Sequence, residues 1–161
     1  MEVLETEQIA VSDLNEQHMS LLSLFHFMIG STDWSAIRSP EGEDCCHNGA
    51  ALNDADAGVF VIPYDFDQTG IINTSYAKPS PVLSIQRVTQ RLYRGIFAKN
   101  DGLDWAVALL NERRDAVIAA FDSERVRERQ RNRALDYIRE SYEIINDPER
   151  FNEDVLEACR E

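Results

Sequence analysis

The sequence predicts a mainly α domain, α+β in class, with one small β-hairpin set among helices. Three observations predict it. Apolar residues recur at helical spacing in stretches on both sides of the chain's middle. One run, Val59 to Tyr64, is mostly apolar and follows a turn-rich cluster, as the second strand of a hairpin does. The 161 residues are 43% hydrophobic and 28% charged, enough for one folded domain with a single core.

The elements follow in order. Residues 1–11 read as a lead-in, and 12–161 as a single domain. Ser12-Asp13 has the composition of a helix start, and Leu14, Leu21, Phe25 and Met28 continue at helical spacing to Gly30. His18 and His26 on this helix read as core or surface histidines. Ser31 to Cys46 is a long polar loop. Gly49 to Leu52 is a short strand, Asn53 to Gly58 a turn, and Val59 to Tyr64 the returning strand. The chain is then irregular through Lys78-Pro79-Ser80-Pro81. Ile85, Val88, Leu92 and Tyr93 predict a short helix closed by Gly95. Leu103, Ala106, Leu110, Val117 and Phe121 predict one longer helix opened by Asp101 or Gly102. Ser123 is the expected cap of the next, striped by Leu135, Ile138, Tyr142 and Ile145. Asn146-Asp147-Pro148 breaks it, and Pro148 starts a last short helix.

Charge and hydropathy exclude several classes. A formal net charge of −13 disfavours general attraction to nucleic acid or to an anionic membrane. A metal ion or a basic partner suits it better. No segment approaches the roughly 18 apolar residues of a membrane span. The acidic N-terminus, Met1 to Glu7, lacks the apolar core of a signal peptide, so this sequence alone is expected to stay in the cytoplasm.

The chemistry-bearing residues cluster in one half. Val59-Phe60-Val61-Ile62-Pro63-Tyr64 runs into Asp65 and Asp67, one residue apart. A strand that delivers carboxylates at its end is a common way to hold a divalent ion. Asp65, Asp67 and Gly70 also match three places of a calcium loop, but Tyr76 stands where the bidentate Glu belongs. An ordinary acidic turn is the plainest alternative. Upstream lie Asp33, just past the first helix, and His47-Asn48. The order helix, Asp33, Asn48, hairpin, Asp65 is the order of the phosphoryl-transfer residues in protein kinases. There a carboxylate positions the nucleophilic hydroxyl, and an Asn oxygen with a second carboxylate holds the ion bridging the phosphates.

Gly30-Ser31-Thr32-Asp33-Trp34-Ser35, Cys45-Cys46-His47-Asn48, Val61-Ile62-Pro63-Tyr64-Asp65-Phe66-Asp67 and Arg91-Leu92-Tyr93-Arg94-Gly95 resemble an uncharacterised bacterial family. That family is distantly similar to the spore-coat CotH-like and HipA-like kinases. The resemblance runs from about Leu14 to Ile145. It implies a kinase-like large lobe, with Asp33 as catalytic Asp, Asn48 and Asp65 as Mg2+ ligands, Asp67 as a further carboxylate, and ATP as the nucleotide. It departs from the kinase pattern in its interval. Asn48 follows Asp33 by fifteen positions, where kinases use about five. No glycine-rich phosphate loop or strand-borne Lys precedes Ser12. The resemblance therefore implies a C-terminal lobe, inactive as this chain alone and completed by an N-terminal lobe or a partner protein. A non-catalytic binding or scaffold domain, and a calcium-stabilised structural domain, are the alternatives.

Three cysteines make no disulfide framework. Cys45 and Cys46 are adjacent, and the small ring between neighbours is strained, so they are not expected to bond to each other. Three free thiols, or one of the pair joined to Cys159, both fit the sequence, and a zinc site with His47 has the wrong spacing. The resembling full-length proteins are exported, which implies a bond from Cys45 or Cys46 to Cys159. Arg125, Arg127, Arg129, Arg131 and Arg133 alternate with polar residues and read as a solvated helix start. Arg87, Arg91 and Arg94 lie nearer the suspected site and are candidates for anion binding or for ion pairs at the core's edge.

Overall fold

The computed structural model describes residues 1–158. Within them the architecture is mainly α with a small antiparallel sheet, as the sequence predicts. The helices are α1 (Glu16–Ile29), α2 (Leu103–Glu112), α3 (Arg114–Phe121), α4 (Glu128–Asn146) and α5 (Pro148–Phe151). The strands are β1 (Glu2–Val3), β2 (Gly49–Asp54) and β3 (Gly58–Pro63), in spatial order β1-β2-β3.

Helix α1 is the axis of the fold. An amphipathic surface helix buries one stripe. This one buries Met19, Ser20, Leu22, Ser23, Leu24, His26, Phe27, Met28 and Ile29, which leaves little of its circumference to solvent. Leu24, Phe27, Met28 and Ile29 enter a core shared with Leu103, Ala106, Leu110, Ile138 and Tyr142 of α2 and α4. Met19 and Leu22 enter a second core, beneath the sheet, with Ala51, Val59 and Val61. Its buried serines need partners, and Ser20 Oγ donates to the Lys99 carbonyl at 2.7 Å. The helix starts later than its sequence suggests. Asn15, not Ser12 or Asp13, is the cap, and its side chain accepts from the His18 N–H at 2.9 Å. Ser12 and Asp13 belong to a 3₁₀ turn, Val11–Asp13.

The hairpin forms as the sequence predicts. Ala51 lies opposite Val61 and Asn53 opposite Val59. Ala51, Val59 and Val61 are buried, so one pleat face meets the core at period two. The lead-in is part of the domain. Glu2 and Val3 pair with Asn53 and Leu52, and Ile9 is buried in the core under the sheet.

The helical half departs from expectation at three places. Residues 85–95 form no helix. Val88 and Tyr93 are buried as the apolar pattern demands. The backbone reaches them as an irregular strap, in which the Gln90 side-chain oxygen accepts the Gln86 and Arg87 N–H groups at 2.8 and 3.0 Å. The helix foreseen from 103 to 121 breaks at Arg113 into α2 and α3. The two halves serve different neighbours, since α2 packs on α1 and α3 on α4. Ser123 does not cap α4. Its hydroxyl accepts from Arg125 N–H in a turn, and α4 begins at Glu128. The α4 stripe of Leu135, Ile138, Tyr142 and Ile145 is buried as read, and Tyr142 donates to the Leu110 carbonyl at 3.0 Å. Asp147 caps α5 through the Glu149 and Arg150 N–H groups, with Pro148 at the first helical position. No helix among the described residues is long and apolar enough to cross a membrane.

Gly30 ends α1 with φ 66°, in the left-handed region. Ser31 N–H bonds the His26 carbonyl and Gly30 N–H the Phe27 carbonyl, the pattern of a Schellman close. A Cβ on Gly30 would also run into the Tyr137 hydroxyl. Gly42 has φ 85°, but a Cβ there would meet nothing within 4 Å. Gly42→Ala should therefore cost only the left-handed penalty, about 1 kcal/mol. Gly30→Ala adds a clash inside the packed core and should cost clearly more. Urea midpoints of the two variants against the parent check this, with the larger loss at Gly30.

Candidate functional site

The reversed end of α1 carries the chain into Ser31, Thr32 and Asp33. Ser31 and Thr32 are buried, while the Asp33 side chain is 38% exposed. This loop is held from both sides. Arg94 donates to the Thr32 carbonyl and, at 2.9 Å, to the Trp34 carbonyl, bracketing Asp33. Beneath it the Trp34 indole stacks on the His26 imidazole, centroids 4.4 Å apart and planes 8° from parallel. Burial, and after it the Arg94 charge, pulls the His26 pKa from 6.5 down to about 3. His26 is therefore neutral at ordinary pH.

Three side chains converge on the Asp33 carboxylate. His47 Nε2 donates to Oδ1 at 3.0 Å. Asn48 Nδ2 donates to Oδ2 at 3.1 Å and to the Asp33 carbonyl at 2.6 Å. Gln68 Nε2 donates to Oδ2 at 3.1 Å. Asn48 holds this position with φ 56°, a left-handed conformation that Asn adopts more readily than most residues. Both of its amide protons are engaged with Asp33, so its Oδ1 is the atom left for another ligand. The sequence pair Asp33 and Asn48 is thus brought together across fifteen residues. His47 had a signal, being next to Asn48. Gln68 had none apart from its place in the turn after Asp67.

Asp65 lies two residues past the end of β3, whose first partner residue in β2 is Gly49. Tyr64 N–H donates to the Asn48 carbonyl at 3.2 Å, so the hairpin's closing rung sets the Asp65 turn beside Asn48. Asp65 Oδ1 accepts the Asp67 N–H at 3.1 Å. The Asp67 carboxylate accepts from the Tyr76 hydroxyl, and that bond, with the charges of Asp67 and Asp65 behind it, raises the Tyr76 pKa above its usual 10.0. No hydrogen bond among the described residues joins Asp65 or Asp67 directly to Asp33. The connection runs through Gln68, on the same turn. The backbone supports it, because Gly70 and Ile71 N–H donate to the Gly30 and Ile29 carbonyls at 3.0 and 3.1 Å.

Among the described residues no group of three or more His, Cys, Asp or Glu side chains is placed to hold a metal ion. The oxygen donors at hand, Asn48 Oδ1 with the Asp65 and Asp67 carboxylates, are of the hard type that Mg2+ takes. That ion is commonly held by one or two carboxylates together with water and phosphate oxygens. The calcium-loop alternative loses a ligand. Thr69, at the fifth place, is buried, and its hydroxyl donates to the Phe66 carbonyl at 2.8 Å.

Two further expectations meet the structure here. Cys45 and Cys46 are bonded to each other, against the expectation from ring strain. The peptide between them is cis and their Cα atoms are 2.9 Å apart, which brings the two sulfurs within reach. The bond from one of them to Cys159 is thereby ruled out for this oxidised pair, and Cys159 itself lies outside the described residues. Arg91 and Arg94 are structural. Arg91 pairs with Glu140 at 2.8 Å and lies over the Tyr137 ring at 3.7 Å, and Arg94 holds the Asp33 loop. In the arginine run, Arg131 faces Asp122 at 3.4 Å and Arg133 donates to the Ile72 carbonyl, while Arg125, Arg127 and Arg129 are exposed.

The His26 shift makes a pH prediction. The folded pKa is depressed, so between pH 6.5 and about 3 the unfolded chain binds a proton that the folded chain refuses. Its contribution to stability is complete above pH 6.5. It is lost on acidification at about 1.4 kcal/mol per pH unit. Urea midpoints at pH 7.5 and pH 5 should show this loss, and His26→Leu should reduce the difference between the two pH values.

Comparison with protein-family models, with curated proteins and with solved structures finds no match for this chain.

Proposed function

We propose that this chain is the C-terminal lobe of a metal- and ATP-dependent phosphotransferase-like protein, with Asp33 at its centre. The observation that carries the reading is the meeting of Asp33 with Asn48, and with Gln68 from the Asp65 turn, at one half-exposed carboxylate. The sequence order Asp33, Asn48, hairpin, Asp65 is that of kinase-type phosphoryl transfer. In this reading Asp33 orients an acceptor hydroxyl and takes up its proton. A carboxylate has about four acceptor sites. His47, Asn48 and Gln68 use three of them at Asp33, leaving room for one hydroxyl donor. Their bonds also hold the carboxylate in one orientation, which positioning chemistry requires. Asn48 Oδ1 and Asp65, with Asp67 beside it, hold Mg2+. When bound, the ion neutralises charge on the phosphates of ATP. A further lobe or a partner protein supplies the rest of the phosphate cradle.

A second reading, a non-catalytic binding domain on the same scaffold, is favoured by one observation. Asp65 Oδ1 already accepts the Asp67 N–H at 3.1 Å within the turn, as the carboxylate of an ordinary acidic turn does.

Thermal shift with Mg2+, without and with ATP, separates the two. The phosphotransferase-like reading expects a concentration-dependent rise in melting temperature with Mg2+. Asp65→Asn should weaken that rise, and Arg129→Ala on the far arginine run should leave it nearly unchanged. ATP should add at most a weak further shift, and no phosphotransfer is expected from this chain by itself. Absence of any Mg2+ shift, or a shift that Asp65→Asn leaves intact, selects the binding domain.

A further inference from the structure

We infer that the Cys45–Cys46 disulfide is a redox device that controls whether His47 and Asn48 are held on Asp33. The bond joins neighbours in the chain, and both cysteines are buried in the core beneath the sheet. The next two residues, His47 and Asn48, are two of the three that reach the Asp33 carboxylate. Backbone bonds fasten the segment at both ends. Cys45 N–H donates to the Thr6 carbonyl at 2.6 Å, Cys46 N–H to the Gly49 carbonyl at 2.9 Å, and Gly49 N–H returns to the Cys46 carbonyl at 3.1 Å. His47 and Asn48 therefore occupy a tight turn between the disulfide and the first residue of β2. Asn48 adopts its left-handed backbone within that turn.

Nothing in the proposed chemistry of Asp33 uses the sulfurs, and a disulfide between neighbours closes no long loop. The entropic stabilisation of a cross-link grows with the loop it closes, so this one contributes little to stability by that route. What it does constrain is local: the path of the chain into His47. Reduction proceeds by thiol–disulfide exchange. A thiolate of an external dithiol attacks one sulfur of the pair, and the other leaves as a thiolate and takes a proton. The dithiol's second thiol then displaces the first cysteine, which takes the second proton. The dithiol ends as a disulfide, and Cys45 and Cys46 as thiols. The two thiols separate to non-bonded contact. The surrounding core is close-packed, so the half-exposed turn at His47 and Asn48 is where the chain has room to yield.

The inference concerns the geometry of the Asp33 cluster and stands apart from the phosphotransferase-like reading. Its test uses the whole chain, isotopically labelled. Thiols are first alkylated without reductant and counted by mass. Cys45 and Cys46 are expected to resist alkylation until dithiothreitol is added. The side-chain amide resonances of Asn48 and Gln68 are then followed before and after reduction, together with the backbone amides of α2 and α4. The expected result is loss of exchange protection at the Asn48 side-chain amide, a shift at Gln68, unchanged protection in α2 and α4, and recovery on reoxidation. Cys45→Ser/Cys46→Ser should reproduce the reduced spectrum. Four results each overturn the inference. Alkylation of both cysteines without reductant removes the bond. Unchanged Asn48 and Gln68 resonances after full reduction, or a disulfide that dithiothreitol leaves intact in the folded protein, removes the control. Loss of protection throughout α2 and α4 on reduction makes the bond a staple of the whole fold.

Discussion

The burial of α1 on nearly all sides is the constraint from which the rest of the structure follows. A helix that hides Met19 and Leu22 beneath a sheet and Leu24, Phe27 and Met28 against α2 and α4 must have elements on both flanks. The sheet and the helical half are those flanks. Neither core would close without the other, because each borrows part of α1. The helix also fixes the direction in which the chain leaves it. Its last turn reverses at Gly30, and the carbonyls of Ile29 and Gly30 are satisfied by Ile71 and Gly70. Buried helix ends require such partners. In supplying them, the loop after the hairpin is tied to the loop after α1, and the two acidic segments become neighbours.

Electrostatics then organises the junction. In a chain of net charge −13 the loop at Asp33 gathers donors. Arg94 takes the flanking carbonyls, while His47, Asn48 and Gln68 take the carboxylate. The Arg94 charge has a second effect. It adds to burial in keeping His26 neutral, so the Trp34–His26 stack beneath the loop is an uncharged aromatic floor under a polar cluster. A carboxylate held by three donors on a stacked aromatic base is oriented before any ligand arrives. Preorganisation of that kind is what positioning catalysis and selective binding both need. It supports the phosphotransferase-like proposal and is equally available to a binding domain. The acidic turn of Asp65 and Asp67 is where the two readings part.

Much of this was legible in the chain. The Val59 to Tyr64 run and the turn before it announce the hairpin, because strand and turn composition are local signals that survive whatever packs on them. The α4 stripe and the Asp147-Pro148 restart are local effects of spacing and capping, and they form as read. The candidate residues Asp33 and Asn48 were legible by type and order. Residues 85–95 were misleading, since Val88 and Tyr93 are buried as a helix would bury them, yet a strap crossing Gly70 serves the same burial. The break at Arg113 was invisible because α2 and α3 share one apolar period and differ only in which helix they meet.

The sequence by itself determined the class of the fold, the hairpin, the helix stops at Gly30 and Pro148, and the residue types from which an acidic site is built. These are set by near neighbours in the chain, through periodicity, capping and backbone freedom. Only the tertiary structure decided that Arg94 brackets Asp33, that Gln68 rather than Asp65 reaches it, that His26 is a neutral floor, and that Cys45 bonds Cys46. The first three outcomes depend on which segments α1 brings side by side, from residues that are up to sixty-two apart for Arg94 and Thr32, while the Cys45–Cys46 bond joins chain neighbours inside the buried core. No local pattern specifies such a meeting, because it is the shared burial of two cores along one helix that selects it.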